Sequence, residues 1–204
     1  MHRTFQPAMT YINGYARAAT LLYAELQNGA KHGDSSLPIE HWLVYPVYFM
    51  YRHALELSLK DILRTAAPTL EKKQRERITE THNVYTLWNM ARSWVMQFAP
   101  NQVKAATPAF ESMLKEIERH DPDAEAGRYE IRKIGKKSNR MLVATFPTLS
   151  PLDATAIHDG FSKMLNYIRT IWTVYAELEH DEAMMLKPPD IESFIARWLK
   201  PEEV

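Results

Sequence analysis

Apolar residues recur at three- and four-residue spacing over most of the chain, the pattern of helices that bury one face. From Pro7 the spacing carries Tyr11, Tyr15, Ala18, Leu22 and Leu26 to about residue 27, and Gly29 and Gly33 close it. A longer pattern covers 38–66. It contains Pro46, which removes a backbone donor and crowds the preceding turn, so a kink is expected there. Pro68 ends the segment. Residues 71–80 are mostly charged and fit either a short helix or a solvated loop. An amphipathic helix rich in Trp and Met is expected over 85–98, stopped by Pro100, and another over 108–119, stopped by His120-Asp-Pro-Asp. Asp153 is a suitable cap for a final core helix to residue 179, with Ile157, Phe161, Leu165, Ile168, Trp172 and Tyr175 on its stripe. A short helix over 190–199 follows Pro188 and Pro189.

The period changes between residues 128 and 146. Arg128-Tyr-Glu-Ile-Arg-Lys-Ile134 alternates in the manner of a strand, Gly135-Lys-Lys-Ser-Asn139 has turn chemistry, and Met141-Leu-Val-Ala-Thr-Phe146 reads as a second strand. No repeat or compositional break divides the chain. The expected architecture is therefore a single all-α domain over 1–204, a bundle of about five to six helices with a β-hairpin insertion near 128–146.

Composition narrows the function classes. The chain is 46% hydrophobic and 25% charged, enough for a substantial core, and 25 basic residues balance 25 acidic ones. With no net charge, contact with a polyanion has to come from a local patch. There is no cysteine, hence no disulfide, thiolate nucleophile or thiolate metal site, which fits a reducing compartment. The start of the chain lacks the apolar core of a signal peptide. The apolar run 42–51 is about half a membrane span and contains Pro46, so a cytoplasmic protein without membrane contact is expected.

The 38–66 helix carries the most informative chemistry. At 100° per residue, Tyr45, Tyr48, Leu55, Leu59, Ile62 and Leu63 share an arc of roughly 100°. Arg52 and Glu56 lie in or beside that arc. His53 and Lys60 fall on the flank shared with Phe49, and Ala54, Ser58 and Asp61 lie on the opposite, more polar side. Buried charges are costly unless paired or hydrated. Arg52 with Glu56, and Glu56 with Lys60, are four residues apart and pair as a ladder that sets helix register. Alternatively, they prepare a pocket with a guanidinium for phosphate, an imidazole for proton transfer and a carboxylate to orient both.

Arg52-His-Ala-Leu-Glu-Leu-Ser-Leu-Lys60, followed by His82-Asn-Val-Tyr-Thr-Leu-Trp88, resembles the HEPN superfamily of helical domains. Glu56, Leu59 and Lys60 match its "QAxExxLKAxL" helix, and His82 and Leu87 match its "HdLxxL" element. Asp121 and Arg128-Tyr129 resemble the "D…RYP" element of some subgroups, with Glu130 where proline is usual. The likeness covers roughly residues 40–130 with gaps. It implies a homodimer and engagement of RNA or a nucleotide. Many members are metal-independent ribonucleases of toxin–antitoxin or phage-defence systems, working with an antitoxin or another operon-encoded partner; others are non-catalytic binding or assembly modules. The ribonuclease element Arg-x(4–6)-His is missing from its expected late position. Arg77-Ile-Thr-Glu-Thr-His82 has the spacing, with apolar Ile78 after the arginine. The family pattern also allows His82 a structural hydrogen bond to the Glu56–Lys60 helix.

Two function classes follow. As a ribonuclease, the chain would use Arg52 to hold phosphate, His53 or His82 to move the proton of the 2′-hydroxyl, and Glu56 to orient the basic groups. Lys60, Arg128, Tyr129, Arg132, Lys133, Lys136 and Lys137 would contact RNA or nucleotide, although lysines on exposed strand edges also serve to block edge pairing. As a non-catalytic interaction or dimerisation module, it would use the same ladder as structure. No metal or cofactor is expected: His53-x-x-Glu56 and His180-Asp-Glu182 lack the repeated Glu-x-x-His of carboxylate di-metal bundles, and no phosphate loop or nucleophile elbow is present.

Overall fold

The computed structural model describes residues 7–32, 39–121, 124, 131–134, 141–144 and 151–184. Six helices make up the bundle: α1 Pro7–His32, α2 Ile39–Ala66, α3 Lys72–Glu80, α4 Val84–Phe98, α5 Asn101–His120 and α6 Pro151–Met184. A 3-10 turn, Ala67–Thr69, follows α2. Two four-residue segments, β1 Ile131–Ile134 and β2 Met141–Ala144, pair antiparallel with Ile131 opposite Ala144 and Ile134 opposite Met141. The rest of the expected 128–146 insertion lies outside the described residues, as does the expected 190–199 helix. The described core is built by the helices together with Leu70 and Ala99 of the segments that join them. No described helix is long and apolar enough to cross a membrane.

The central element is α2, which packs against α1, α4 and α6. It runs through Pro46 as one helix. Leu55, Leu59, Ile62 and Leu63 are fully buried, as their arc predicts. The side expected to be more polar is buried as well: Ala54, Ser58 and Asp61 are inaccessible to solvent because α1 and α6 cover that face. Ser58 meets the cost by donating its hydroxyl to the Ala54 carbonyl at 2.7 Å. Around α2, Trp88 of α4, Phe110 of α5 and Tyr167 of α6 form an aromatic cluster with ring centroids 4.4–5.9 Å apart. The Trp88 indole donates to Glu111 at 2.9 Å.

Helix α1 runs through Gly29 to His32 instead of closing near residue 27, and three further segments differ from the periodic reading. The charged 71–80 segment is a helix, anchored by the single buried Ile78 and by Arg75, whose guanidinium donates to the Ala67 and Leu70 carbonyls at 3.2 and 2.9 Å. The next difference is at α5, which starts at Asn101 rather than at 108. Pro100 both ends α4 and precedes the first turn of α5, and Pro108 lies inside the helix on its exposed side. Val103, Thr107, Phe110, Leu114 and Ile117 form one buried stripe across that proline. Finally, α6 extends beyond the expected 153–179 at both ends.

Candidate functional site

Helix α2 presents Arg52, Glu56 and Lys60 one turn apart, and the expected ladder is present. Arg52 Nη1 donates to Glu56 Oε2 at 3.3 Å, and Lys60 Nζ lies 3.0 Å from Glu56 Oε1. All three side chains are buried.

Arg52 also reaches well beyond its own helix. Nη2 donates to the His82 carbonyl at 3.0 Å and more weakly to the Asp121 carbonyl at 3.5 Å. Nε lies 2.9 Å from Asp121 Oδ2, an ion pair whose N–H is not aligned as a directed hydrogen bond. Glu118 Oε1 is 3.9 Å from Nη2. One guanidinium thus ties α2 to the segment before α4 and to the end of α5. The carboxylates it meets have structural duties of their own. Glu118 accepts the Val84 N–H at 2.8 Å and the Asn83 side-chain amide, and Asn83 caps α4 by accepting the Thr86 N–H at 2.6 Å. Asp121 accepts the Tyr48 hydroxyl at 3.3 Å.

His82 joins the ladder from outside. Its Nδ1 is 2.9 Å from Glu56 Oε1, while about half of the side chain is exposed. An ionised carboxylate only accepts, so Nδ1 is the ring nitrogen that presents a proton to Glu56. His53, one residue after Arg52, is stacked parallel to Phe49 and meets the Tyr15 ring edge-on at 4.5 Å. Phe49, Arg52, His53, Glu56, His82 and Ala124 line one open recess of about 280 Å³. Ala124 sits there with φ 57°, a left-handed conformation that costs a residue with a Cβ on the order of 1–2 kcal/mol.

The electrostatics follow from this packing. Burial pushes the Glu56 carboxyl upward, but hydrogen bonds and charge from Lys60 and His82 outweigh it and leave the group below the ordinary range. Burial dominates at Glu118 and raises it, despite the opposing Val84 N–H and the Arg52 charge. The Tyr48 phenol is raised by burial and by the neighbouring Asp121, so it remains a donor. Two cations, Arg52 and Lys60, face three carboxylates, Glu56, Glu118 and Asp121. The cluster is not an anion-attracting field.

Of the residues singled out in the sequence, Arg52, His53, Glu56 and His82 meet at the recess. Lys60 does not line it and lies behind Glu56. Arg128, Tyr129, Lys136 and Lys137, with the side chains of Arg132 and Lys133, lie outside the described residues. Periodicity did not identify Glu118 as a member of the cluster, and it placed Tyr48 beside Arg52 only as a core residue. Asp121 stood out only as a helix stop and a family match. Its partnership with Arg52 spans 69 positions, beyond the reach of any local spacing rule. Among the described residues no three His, Asp or Glu side chains form a metal-binding group. The chain matches no protein-family model, no curated protein and no solved structure.

Proposed function

We propose that this chain is a HEPN-like helical domain that acts by binding, a non-catalytic interaction and dimerisation module whose Arg52–Glu56–Lys60 ladder is structural. The observation that carries this reading is the enclosure of Arg52. Each of its nitrogens has a protein oxygen within 3.3 Å, and the side chain is 3% exposed. A guanidinium enclosed in this way is held away from solvent, and the carboxylates of Glu56, Glu118 and Asp121 already meet its charge. The partners that fit are a second copy of the chain or an operon-encoded protein, in the cytoplasm.

A second reading is supported by the recess itself. Glu56 orients His82, and His53 lines the same opening, the arrangement needed to move a proton at a ribose 2′-hydroxyl. In that reading the basic segment 128–146, with Arg128, Tyr129, Arg132, Lys133, Lys136 and Lys137, supplies the RNA contact, and the protein is a metal-independent ribonuclease of toxin or phage-defence type.

One set of variants separates the two. Under the binding reading, Arg52→Ala strands buried carboxylates and lowers unfolding free energy by about 3–5 kcal/mol, measured by denaturant titration. Folded wild type leaves single-stranded and structured RNA intact. RNA cleavage by wild type that disappears in folded His82→Ala would replace the binding reading with the catalytic one. An Arg52→Ala variant with unchanged stability would remove the structural ladder.

A further inference from the structure

Helix α1 packs on α2 and α6 and buries Ile12, Ala19 and Leu26. Its opposite face, with Gly14, Arg17, Leu21, Ala24, Glu25 and Asn28, is exposed. Tyr11 and Leu21, 64% and 54% exposed, are the exposed large hydrophobic side chains of the described residues, and both belong to α1.

The charges on this face are arranged symmetrically about Leu21. At 100° per residue, Leu21 falls near the middle of the exposed arc. Arg17, one turn before it, lies roughly 40° to one side, and Glu25, one turn after it, roughly 40° to the other. Ala18 and Ala24, also equidistant from Leu21 along the helix, lie roughly 60° off in opposite directions. A two-fold axis through Leu21 and perpendicular to the helix reverses both the direction along the helix and the side. It therefore sets Arg17 of each copy against Glu25 of the other and Ala18 against Ala24. An axis parallel to the helix sets Arg17 against Arg17 and Glu25 against Glu25, which is repulsive.

The chain itself makes no use of these groups. Arg17 and Glu25 have neither a hydrogen-bond nor an ion-pair partner among the described residues. At Gly14 a Cβ would meet nothing within 4 Å, so no neighbour in the chain requires this poor helix former inside α1. In the antiparallel arrangement Gly14 stands opposite Asn28 and leaves room for its side chain.

We propose that the outer face of α1 is the surface on which two copies of this chain pair antiparallel, about a two-fold axis at Leu21, with Arg17 and Glu25 meeting across it. This rests on the dimerisation reading above and gives it a location and a geometry. The interface is isologous, so one stretch of sequence supplies both halves of each ion pair. From Tyr11 to Asn28 the face is about 26 Å long. One helix width of that length is smaller than the roughly 800 Å² per partner of a standard interface, so the dimer is weak and depends on concentration.

Sedimentation of the full chain from micromolar to millimolar concentration is expected to show a monomer–dimer equilibrium that weakens as salt is added. Arg17→Glu places two acids opposite each other at both ends of the contact and weakens the dimer about tenfold. Adding Glu25→Arg to it restores the wild-type equilibrium. These side chains are exposed, so the melting temperature of the dilute monomer stays unchanged in both variants. The chain has no cysteine, which makes disulfide trapping specific. Leu21→Cys cross-links to itself, and Arg17→Cys cross-links when mixed with Glu25→Cys but not alone. Self-cross-linking of Arg17→Cys and of Glu25→Cys, each alone, would mean parallel pairing and overturn the proposal. A dimer indifferent to Arg17→Glu and to Leu21→Cys overturns it too, while leaving the dimerisation reading in place with its interface elsewhere. A chain that stays monomeric throughout overturns both, and a different protein captured on the α1 face would not rescue the two-fold pairing.

Discussion

Arg52 occupies a position where the surrounding helix would otherwise place an aliphatic side chain, and its partners come from separate stretches of the chain. Replacing it by lysine would not preserve the arrangement. An ammonium is a point donor, whereas the guanidinium fork meets Glu56, the His82 carbonyl and Asp121 in one plane of donors. The two glutamates beside it respond oppositely to pH. Glu56 lies below the ordinary carboxyl value of 4.5 in the folded chain, so its contribution is fully present above that value and is lost as pH falls through the lowered one. Glu118 lies above 4.5 when folded, so its contribution is present at low pH and is lost as pH rises through the raised one. Urea titrations across the acid range should therefore show Glu56→Gln flattening the limb below 4.5 and Glu118→Gln flattening the decline just above it. If both variants alter the same limb, these assignments are wrong. At this scale the sequence revealed the within-helix pairs, because i, i+4 neighbours are fixed by helix geometry. It placed Tyr48 one turn from Arg52 but did not reveal Glu118, which tertiary packing alone brings to the cluster.

Among the elements, α5 shows how a strong local signal can mislead. Proline favours the first turn of a helix, so Pro108 reads as a start; the buried stripe from Val103 to Ile117 passes through it and overrides that preference. Tertiary burial of Val103 and Thr107 repays the missing backbone hydrogen bond, while the ring itself stays exposed. The sign of one substitution tests this. Pro108→Ala restores an N–H inside an existing helix and should raise stability by about 1–2 kcal/mol, whereas at a true helix start it would be neutral or harmful. Equilibrium unfolding of the two proteins decides. The existence and order of the main helices were legible because a 3.6-residue period persists over many turns. The state of 71–80 was not legible, since that helix depends on one buried residue, Ile78, and on Arg75 reaching back to the preceding turn.

For the molecule as a whole, α2 is enclosed by its neighbours, while α3 rests on the surface with all but Ile78 at least partly exposed. Stability should be distributed accordingly. In native-state hydrogen exchange, amides of α2 between Val47 and Leu63 should exchange only through global unfolding, and those of α3 through local opening at much lower free energy. Equal protection of the two helices would contradict this ordering. The helical bundle was legible from the sequence as an architecture. The burial of α2 on every side was not, because Ser58 and Asp61 look like surface residues until α1 and α6 are seen to cover them. The clasp around Arg52 also restricts how this core can change over time. Loss of Arg52 leaves Glu56, Glu118 and Asp121 without their common cation, and loss of Asp121 removes the shortest contact of the guanidinium. An apolar version of the same core can be as stable, but single substitutions reach it only through a poorly folded intermediate. Arg52 and Asp121 are therefore expected to be kept together or exchanged together, a dependence that ties the end of α5 to the middle of α2.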